Sequence, residues 1–351
     1  MARYSEDEKD AMSFRLDSAI AAALEKGDRI LGVRRHGNSD WASTRRIDAQ
    51  GTGGEHHSYF LKTLSGKDTA ERVNGEFRSM CEIYNTLPAI APKPRGYGEC
   101  QEKGKYFFVC DFLNISHDLP DPVRLGKTLS ELHLKSQSPN GKFGFYCTTF
   151  DGEKPLNTTW DENWTRFFSR LINDVYQQEK DINGHWKPLE DAMQIAVEQL
   201  IPRLLDPLTA HGLTIKPCLI HGDLWESNIG TDNVTGEIYI YDACCYYAHH
   251  EKEIAIWRVA HHKMTDDKYR NEYFKHFPLS EPIEEADDRS RLYAVETLLI
   301  NSLSFPGAET RKLAYEELRA LIEKYIPGSS RLHLGESEAA ESELQLPAPH
   351  P

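Results

Sequence analysis

A change of sequence pattern near Asn114 divides this chain and limits the folds open to it. Before that point, short β-type runs are broken by Gly, Asn and Asp, and three of them predict antiparallel strands: RILGVRRHG, WASTRRIDAQ and HSYFLKTL. A helical stretch, TAERVNGEFRSMCEIYNTL, is followed by a proline-rich segment and the strongly apolar strand KYFFVCDFL. Residues 1–113 are therefore predicted to form a small antiparallel sheet that carries one helix.

Beyond Asn114 the pattern is largely helical. Four stretches have amphipathic helical periodicity: DPVRLGKTLSELHLKS, WDENWTRFFSRLINDVYQQ, LEDAMQIAVEQLIPRLLDPL and SRLYAVETLLINSLSF. Residues 217–247 are the exception, because two short predicted strands flank a polar loop there. Residues 328–351 are polar, acidic and end in prolines, which predicts a disordered tail.

These patterns predict an α+β chain with two lobes. The first lobe, residues 1–113, ends in a hinge at 111–114, and residues 114–327 form a larger, mainly helical lobe. A β-rich lobe, a hinge and a helical lobe that carries a β-flanked polar loop together have the layout of a protein-kinase-like fold.

Composition excludes some partners. The chain has 351 residues, with 55 Asp plus Glu against 41 Lys plus Arg and a formal charge of −14, which argues against nucleic acid as a partner. No run of 18 apolar residues is present and the acidic start does not resemble a secretory signal, so neither a membrane span nor export is predicted. Seven cysteines without CxxC spacing indicate a reducing, cytoplasmic location.

The polar loop LIHGDLWESNIG has a spacing typical of phosphoryl transfer. Asp223 and Asn228 are five residues apart, and Asp242 follows the next strand-like run. The same interval separates the catalytic Asp and the metal-binding Asn in the protein-kinase pattern H-R-D-x-x-x-x-N. We therefore predict Asp223 as the proton acceptor, Asn228 and Asp242 as Mg²⁺ ligands, and His221 as a brace for the loop. The alternative is an ordinary polar turn between two strands.

The first lobe offers a matching phosphate site. Lys62 lies in the predicted strand YFLKTL, where alternation turns it away from Leu61 and Thr63, so that it can reach the phosphates of ATP. Glu76, on the following helix, is the natural ion-pair partner that would hold this lysine. Two unrelated surface charges are the alternative.

Two further segments are candidates for nucleotide binding. The loop RRHGNSDWAS contains Gly37 and Ser39, whose backbone N–H groups are expected to face phosphate, although a plain hairpin fits the sequence equally well. After the strand FFVCDFL, the carbonyl of Asp111 and the N–H of Leu113 occupy the positions expected to meet the edge of adenine.

At these residues the chain resembles the fructosamine-3-kinase and ketosamine-3-kinase family, within the aminoglycoside phosphotransferase-like group. The family patterns are HGDLW-x-G-N and D-P-A-x-x-Y-G-H-x-E, and this chain has HGDLWESN followed by DACCYYAHHE. The resemblance extends over roughly residues 15–327. The chain departs from the family at Ser227, Ala243 and Ala248, and none of these departures removes a predicted ligand or the predicted base.

The resemblance implies ATP- and Mg²⁺-dependent phosphorylation of ketosamines at the third hydroxyl of the sugar, and hence a role in deglycation. The partner is then a sugar joined through an amine to lysine or to a protein. Trp225, His249 and Glu251 match family positions and are expected to contact this substrate, with plain core packing as the alternative for Trp225 and His249. Trp164 and Phe167 lie at helical spacing and are expected in the core.

Two other functions fit the same residues. One is a different small-molecule kinase of this fold, which acts on an aminoglycoside-like or choline-like substrate with the same loop chemistry. The other is a non-catalytic binding protein that has kept the fold; it is disfavoured because the base, the metal ligands and the lysine are all present.

Overall fold

Residues 16–37 and 42–328 are described by the structure, a computed structural model. The first lobe contains a five-stranded antiparallel sheet with strand order β1-β2-β3-β5-β4. Its strands are β1 (Arg29–Arg35), β2 (Ser43–Gln50), β3 (His56–Ser65), β4 (Pro94–Glu99) and β5 (Lys105–Asp111). The three N-terminal strands and the apolar strand β5 are confirmed.

Strand β4 was not predicted, because its sequence is rich in proline and glycine. Within the described ranges it pairs with β5 alone and is therefore an edge strand. Pro94 is its first residue, a position at which a missing N–H is tolerated. A register shift between Pro94 and Gly96 marks an irregularity in the pairing. The proline and glycine content argued against a strand here, but both residues are tolerated at the edge of a sheet.

Two helices accompany the sheet: α1 (Ser18–Ala23) and α2 (Thr69–Thr86). Helix α2 is the predicted helix, and it buries Val73, Met80 and Ile83 in the main core of the molecule. The opposite face of the sheet forms a second, smaller core that includes Ile47 and Leu61, and α1 adds Ile20 to it. The sheet is thus covered on both faces, and α2 lies on the face that adjoins the helical lobe.

After β5 the chain is mainly helical. The α-helices in the described part of this lobe are α3 (Pro122–Lys135), α4 (Trp164–Asn183), α5 (Lys187–Ile195), α6 (Ile201–Leu205), α7 (His250–Glu253), α8 (Asp267–Phe274), α9 (Ala286–Ser304) and α10 (Thr310–Tyr325). Trp164 and Phe167 are buried in the main core, as predicted. None of the helices in the described ranges is long and apolar enough to span a membrane.

The stretch predicted as one helix from LEDAMQIAVEQLIPRLLDPL is divided in the structure. After α5 comes a π-helical turn over residues 196–200, then α6, then a 3₁₀ segment at Asp206–Gly212. Pro202 has no N–H to donate to an α-helical bond. The wider turn before it keeps the chain helical and leaves the apolar face buried.

The helical lobe also contains short strands, several of which flank the polar loop. They are β6 (Ile115–Ser116), β7 (Thr149–Asp151), β8 (Lys154–Leu156), β9 (Cys218–Ile220), β10 (Ile229–Asp232), β11 (Ile238–Ile240) and β12 (Tyr246–Ala248). Two strands were predicted around the loop, whereas the structure has four: β10 pairs with β11 and β6, and β12 pairs with β9. The loop after β9 and the turn after β11 are thereby held together. The predicted lobe boundaries at residues 113 and 327 stay predictions.

Candidate active site

The loop after β9 is fixed by buried hydrogen bonds. The backbone N–H groups of His221 and Gly222 donate to the two carboxylate oxygens of Glu253, at 2.5 and 3.1 Å. The His221 side chain is fully buried and its Nε2 bonds the carbonyl of Tyr241 at 2.9 Å, next to Asp242. His221 therefore braces the loop, as predicted, and ties it to the turn after β11.

Gly222 is required where these two segments meet. Its φ of +89° lies in the left-handed region, and a Cβ there would stand 2.6 Å from the carbonyl oxygen of Cys244. The N–H of Cys244 donates in return to the carbonyl of His221 at 2.9 Å. A side chain at position 222 would push Asp223 and Asp242 apart.

Asp223 and Asn228 are joined directly across the five-residue interval. The Asn228 Nδ2 donates to Asp223 Oδ2 at 2.9 Å and to the Asp223 carbonyl at 2.8 Å. A 3₁₀ turn, Glu226–Asn228, brings the two residues together. Because the amide nitrogen is committed to Asp223, the oxygen of Asn228 is the atom left for a cation.

Lys62 bridges the two lobes. Its Nζ lies 2.9 Å from Glu76 Oε2 and 2.5 Å from Asp242 Oδ1, so the predicted ion pair is present and a second carboxylate joins it. The side chains of Lys62 and Glu76 are each 12% exposed, whereas that of Asp242 is 51% exposed. Asp242 has φ +62°, a strained backbone state for a residue with a side chain and one that is concentrated at functional sites.

The charges at this bridge perturb each other. Burial opposes the charge of Lys62, but the two carboxylates outweigh it and raise the lysine pKa. Burial raises the pKa of Glu76 to about 7, against the pull of Lys62. Partial removal from water opposes ionisation of Asp242, yet the contact with Lys62 brings the pKa of this carboxyl below its ordinary value. Asp242 is therefore an anionic partner in the ion pair with Lys62.

The pKa of Asp223 is raised, whereas that of Asp242 is lowered. Burial raises it well above its ordinary value, the negative charges of Asp151 and Asp242 raise it further, and the hydrogen bond from Asn228 opposes them only in part. A carboxylate with a raised pKa is a better proton acceptor than one in water.

Two adjoining cavities meet at these residues. One has a volume of about 670 Å³ and the other about 420 Å³, and Lys62, Glu76, Asn228, Asp242 and Trp225 line both. Residues Gly37, Asp111 and Leu113 line the larger cavity, and Asp223 lines the smaller one. Ser39 lies outside the described residues.

His249 and Glu251, which were predicted to contact substrate, lie in the core of the structure. His249 is fully buried, with its ring nitrogens 3.0 Å from Tyr293 Oη and 2.9 Å from Ser280 Oγ. Glu251 is 1% exposed and accepts two hydrogen bonds from Arg289, at 2.9 and 3.0 Å. Neither residue lines the two cavities, because their polar atoms are used to fix the segment after β12.

Asp151 and His262 are among the polar residues of the smaller cavity that were not predicted. Asp151 is the last residue of β7, just before the turn of the β7–β8 hairpin, and an Asp-Gly pair at this place is typical of an ordinary turn. His262 lies in the loop before α8, in the segment AHHKM, which matches no motif. Adjacent histidines after the resembling segment were the available signal.

Known kinases resemble this chain in sequence. A chloroplastic protein-ribulosamine 3-kinase of Oryza sativa subsp. japonica is 29% identical over 276 residues, which is 76% of this chain and 73% of the relative. A ketosamine-3-kinase of Mus musculus is 29% identical over 220 residues, 56% of this chain and 68% of the relative.

The structural neighbours have the same fold. A candidate fructosamine-3-kinase from Haemophilus somnus superimposes with a TM-score of 0.68 at 20% identity, covering 90% of this chain and 97% of its own. A thermostable mutant of aminoglycoside phosphotransferase APH(4)-Ia, in a ternary complex with AMP-PNP and hygromycin B, gives a TM-score of 0.55 at 16% identity, covering 86% and 96%. These matches confirm the predicted bilobal, protein-kinase-like α+β fold.

A family model described as fructosamine kinase matches residues 30–324, which takes in the sheet, the cleft and the helical lobe. The chain therefore belongs to the fructosamine kinase family.

Proposed function

We propose that this protein transfers the γ-phosphoryl group of ATP to the third hydroxyl of ketosamines, sugars joined through an amine to lysine or to proteins. The observation that carries the proposal is the convergence of Asp223, Asn228, Asp242 and Lys62 where the two cavities meet. Three of these residues come from the helical lobe and the lysine from the sheet, so the chemistry lies between the lobes.

Asp223 accepts the proton in this reaction. The ionised carboxylate takes the hydrogen of the acceptor hydroxyl, the hydroxyl oxygen bonds to the γ-phosphorus, and the bond from that phosphorus to the β–γ bridging oxygen breaks as ADP leaves. Asn228 donates to one oxygen of Asp223 and so holds the carboxylate in a fixed orientation. The raised pKa of Asp223 favours uptake of the proton.

The donor atoms at the junction suit Mg²⁺, which prefers oxygen ligands. Asp242 offers an exposed carboxylate and Asn228 an amide oxygen, and the pKa of Asp242 is held below its ordinary value, so it is anionic at neutral pH. When bound, the metal neutralises phosphate charge. Lys62 adds a positive charge that Glu76 keeps in place, at the border of the larger cavity.

The larger cavity suits a nucleotide. Apolar side chains such as Phe60, Met80 and Phe108 line it, together with the hinge residues Asp111 and Leu113. A flat aromatic base fits between apolar walls with a few polar groups at one edge. The AMP-PNP complex of a structural neighbour further supports ATP as the phosphoryl donor.

The acceptor class rests on the family and on the chemistry of the smaller cavity. The relatives carry the names ribulosamine 3-kinase and ketosamine-3-kinase. Trp225 borders both cavities next to the base and offers a ring face to a sugar. By phosphorylating such adducts, the protein would act in deglycation.

The test is Mg²⁺-dependent release of ADP with ribulose-lysine and fructose-lysine. Wild type should turn over at least one of them, and Asp223→Asn should lose a factor of about 10² or more. Asp181→Asn is the matched control, because Asp181 is exposed on α4 and lines neither cavity. Turnover of aminoglycosides or choline but of neither ketosamine would contradict the acceptor class, and equal activity of wild type and Asp223→Asn would contradict the base.

A further inference from the structure

The smaller cavity contains polar groups that the transfer step leaves unused. Asp223, Asp242 and Asn228 are accounted for by proton transfer and metal binding. Asp151 and His262 line the same cavity and have no part in either. Their surroundings indicate what the cavity binds.

A close packing contact between two segments places Asp151 at the wall of the cavity. The segment that leads into β7 crosses helix α2 at Gly75, where a Cβ would lie 2.8 Å from the carbonyl oxygen of Thr148. Helix α2 also carries Glu76, so the β7–β8 hairpin and the Lys62 bridge share one support. A larger residue at position 75 would lift the hairpin, and Asp151 with it, away from the cleft.

In the part of the chain that the structure describes, no cation is paired with the Asp151 carboxylate. Among residues 16–37 and 42–328 it makes no hydrogen bond and no ion pair, and the nearby Lys252 is already paired with Glu296 at 2.8 Å. Burial raises the pKa of Asp151 to about 7, and the charge of Glu296 adds to this effect. A positive group on a ligand would satisfy this carboxylate.

Among the described residues, His262 also has no hydrogen-bond partner. Its side chain is 9% exposed, neither ring nitrogen has a hydrogen bond within the described residues, and Glu226 Oε2 lies 3.7 Å from Nδ1, too far for one. Burial and the neighbouring His261 lower the pKa of His262 to about 4, so the ring is neutral at pH 7 and offers one donor and one acceptor. The ring packs against Trp225, with centroids 5.7 Å apart.

We propose that Asp151 and His262 recognise the acceptor: Asp151 pairs with the protonated amine of the ketosamine, and His262 hydrogen-bonds a hydroxyl of its sugar. Buried polar atoms without partners, such as the two ring nitrogens of His262, are rare in folded proteins, and a ligand that supplies the missing partners explains them. Asp151 is half-buried at the wall of the same cavity, where its carboxylate can meet a positive group on that ligand. The inference rests on the proposed function and adds the residues that select a cationic, hydroxylated acceptor over a neutral one.

The test for Asp151 compares two acceptors that differ in charge. Fructose-lysine has a protonated amine beside the sugar, and its N-acylated counterpart has a neutral amide there. Asp151→Asn keeps the shape of the side chain and should lower kcat/KM for the charged acceptor by about 10- to 100-fold, the range for a hydrogen bond to a charged group. The neutral acceptor should change by less than about threefold, KM for ATP should not change, and Asp181→Asn should match wild type for both acceptors.

The test for His262 separates binding from folding. His262→Phe keeps a ring against Trp225 and removes both nitrogens. The KM for the acceptor should rise about fivefold, the scale of one neutral hydrogen bond, while KM for ATP and the melting temperature stay level, since no bond within the described residues is lost. A lower melting temperature with an unchanged acceptor KM would assign His262 a structural role and overturn this part.

The outcomes distinguish this inference from the proposed function. If wild type phosphorylates fructose-lysine and Asp151→Asn loses equal activity on the charged and neutral acceptors, recognition of the amine is refuted and the kinase function stands. If wild type phosphorylates neither acceptor although it binds ATP, the proposed function itself is refuted, and the inference with it.

Discussion

Replacement of Glu251 tests where this side chain lies, because the sequence predicts contact with substrate and the structure places it in the core. Glu251 accepts two hydrogen bonds from Arg289, and both side chains are almost fully buried. Removing one partner of a buried ion pair costs about 3–5 kcal/mol. The guanidinium keeps bonds of 2.7 Å to the carbonyls of Ser280 and Pro282, so we expect the lower end for Glu251→Ala, about 3 kcal/mol.

The assay is thermal and urea unfolding, run beside acceptor kinetics. For a chain of this size, about 3 kcal/mol lowers the melting temperature by about 5 °C. Glu323→Ala is the control, because Glu323 forms a surface pair with Arg319 at 3.8 Å and should cost less than about 1 kcal/mol. Replacing both buried partners, Glu251→Leu with Arg289→Met, should recover much of the loss because no unpaired charge remains.

The refuting result is equally definite. If Glu251→Ala unfolds like wild type and raises KM for the acceptor, Glu251 faces substrate and the buried pair does not exist in solution. If the double replacement is less stable than the single one, the charge argument is wrong and packing alone explains the loss.

Three further predictions concern the lysine bridge, the base and the sheet. Lys62→Met should lower kcat/KM by about 10²–10³ in steady-state ADP release, and a loss below tenfold would contradict its phosphate role. Asp151→Asn should lower the pKa of Asp223, because a negatively charged neighbour is removed. In a pH profile of kcat/KM measured with a neutral acceptor, the acid limb should therefore move to lower pH. A shift to higher pH would contradict this prediction. The Asp28 side chain is buried, but its hydrogen bonds to Tyr59 and His57 outweigh burial and lower its pKa below 3.8. Its contribution to the free energy of unfolding is therefore present above pH 3.8 and is lost as the pH falls below that value. Asp28→Asn should cost about 2 kcal/mol in urea unfolding at pH 7 and less at pH 3, and an equal cost at both contradicts the linkage.

The sequence predicted those parts of the site that follow from local spacing. The interval from Asp223 to Asn228 becomes a 3₁₀ turn with a direct hydrogen bond, and strand alternation places Lys62 opposite the helix that carries Glu76. The contact from Lys62 to Asp242 was beyond such reasoning, because it joins residues 180 positions apart. It requires the arrangement of both lobes, which periodicity does not encode.

The differences between the predicted site and the observed one come from tertiary packing, which the local sequence does not encode. His249 and Glu251 lie in a recognisable motif, but a motif does not distinguish a side chain that faces the cleft from one that holds the loop behind it. Their partners, Tyr293, Ser280 and Arg289, come from segments at or near α9. Asp151 was missed for the converse reason: an Asp-Gly pair is common in turns, and its place in the cleft depends on the packing of its hairpin against α2.

The most direct measurement is the position of the phosphate on the product. We would incubate fructose-lysine with ATP, Mg²⁺ and either wild type or Asp223→Asn, and record phosphorus–proton correlation NMR spectra of the sugar. We predict a correlation to the proton on the third carbon with wild type, and none with Asp223→Asn at matched enzyme and time. Phosphate at another carbon, or free phosphate released to water without a sugar correlation, would contradict the assignment of this cleft to ketosamine 3-phosphorylation.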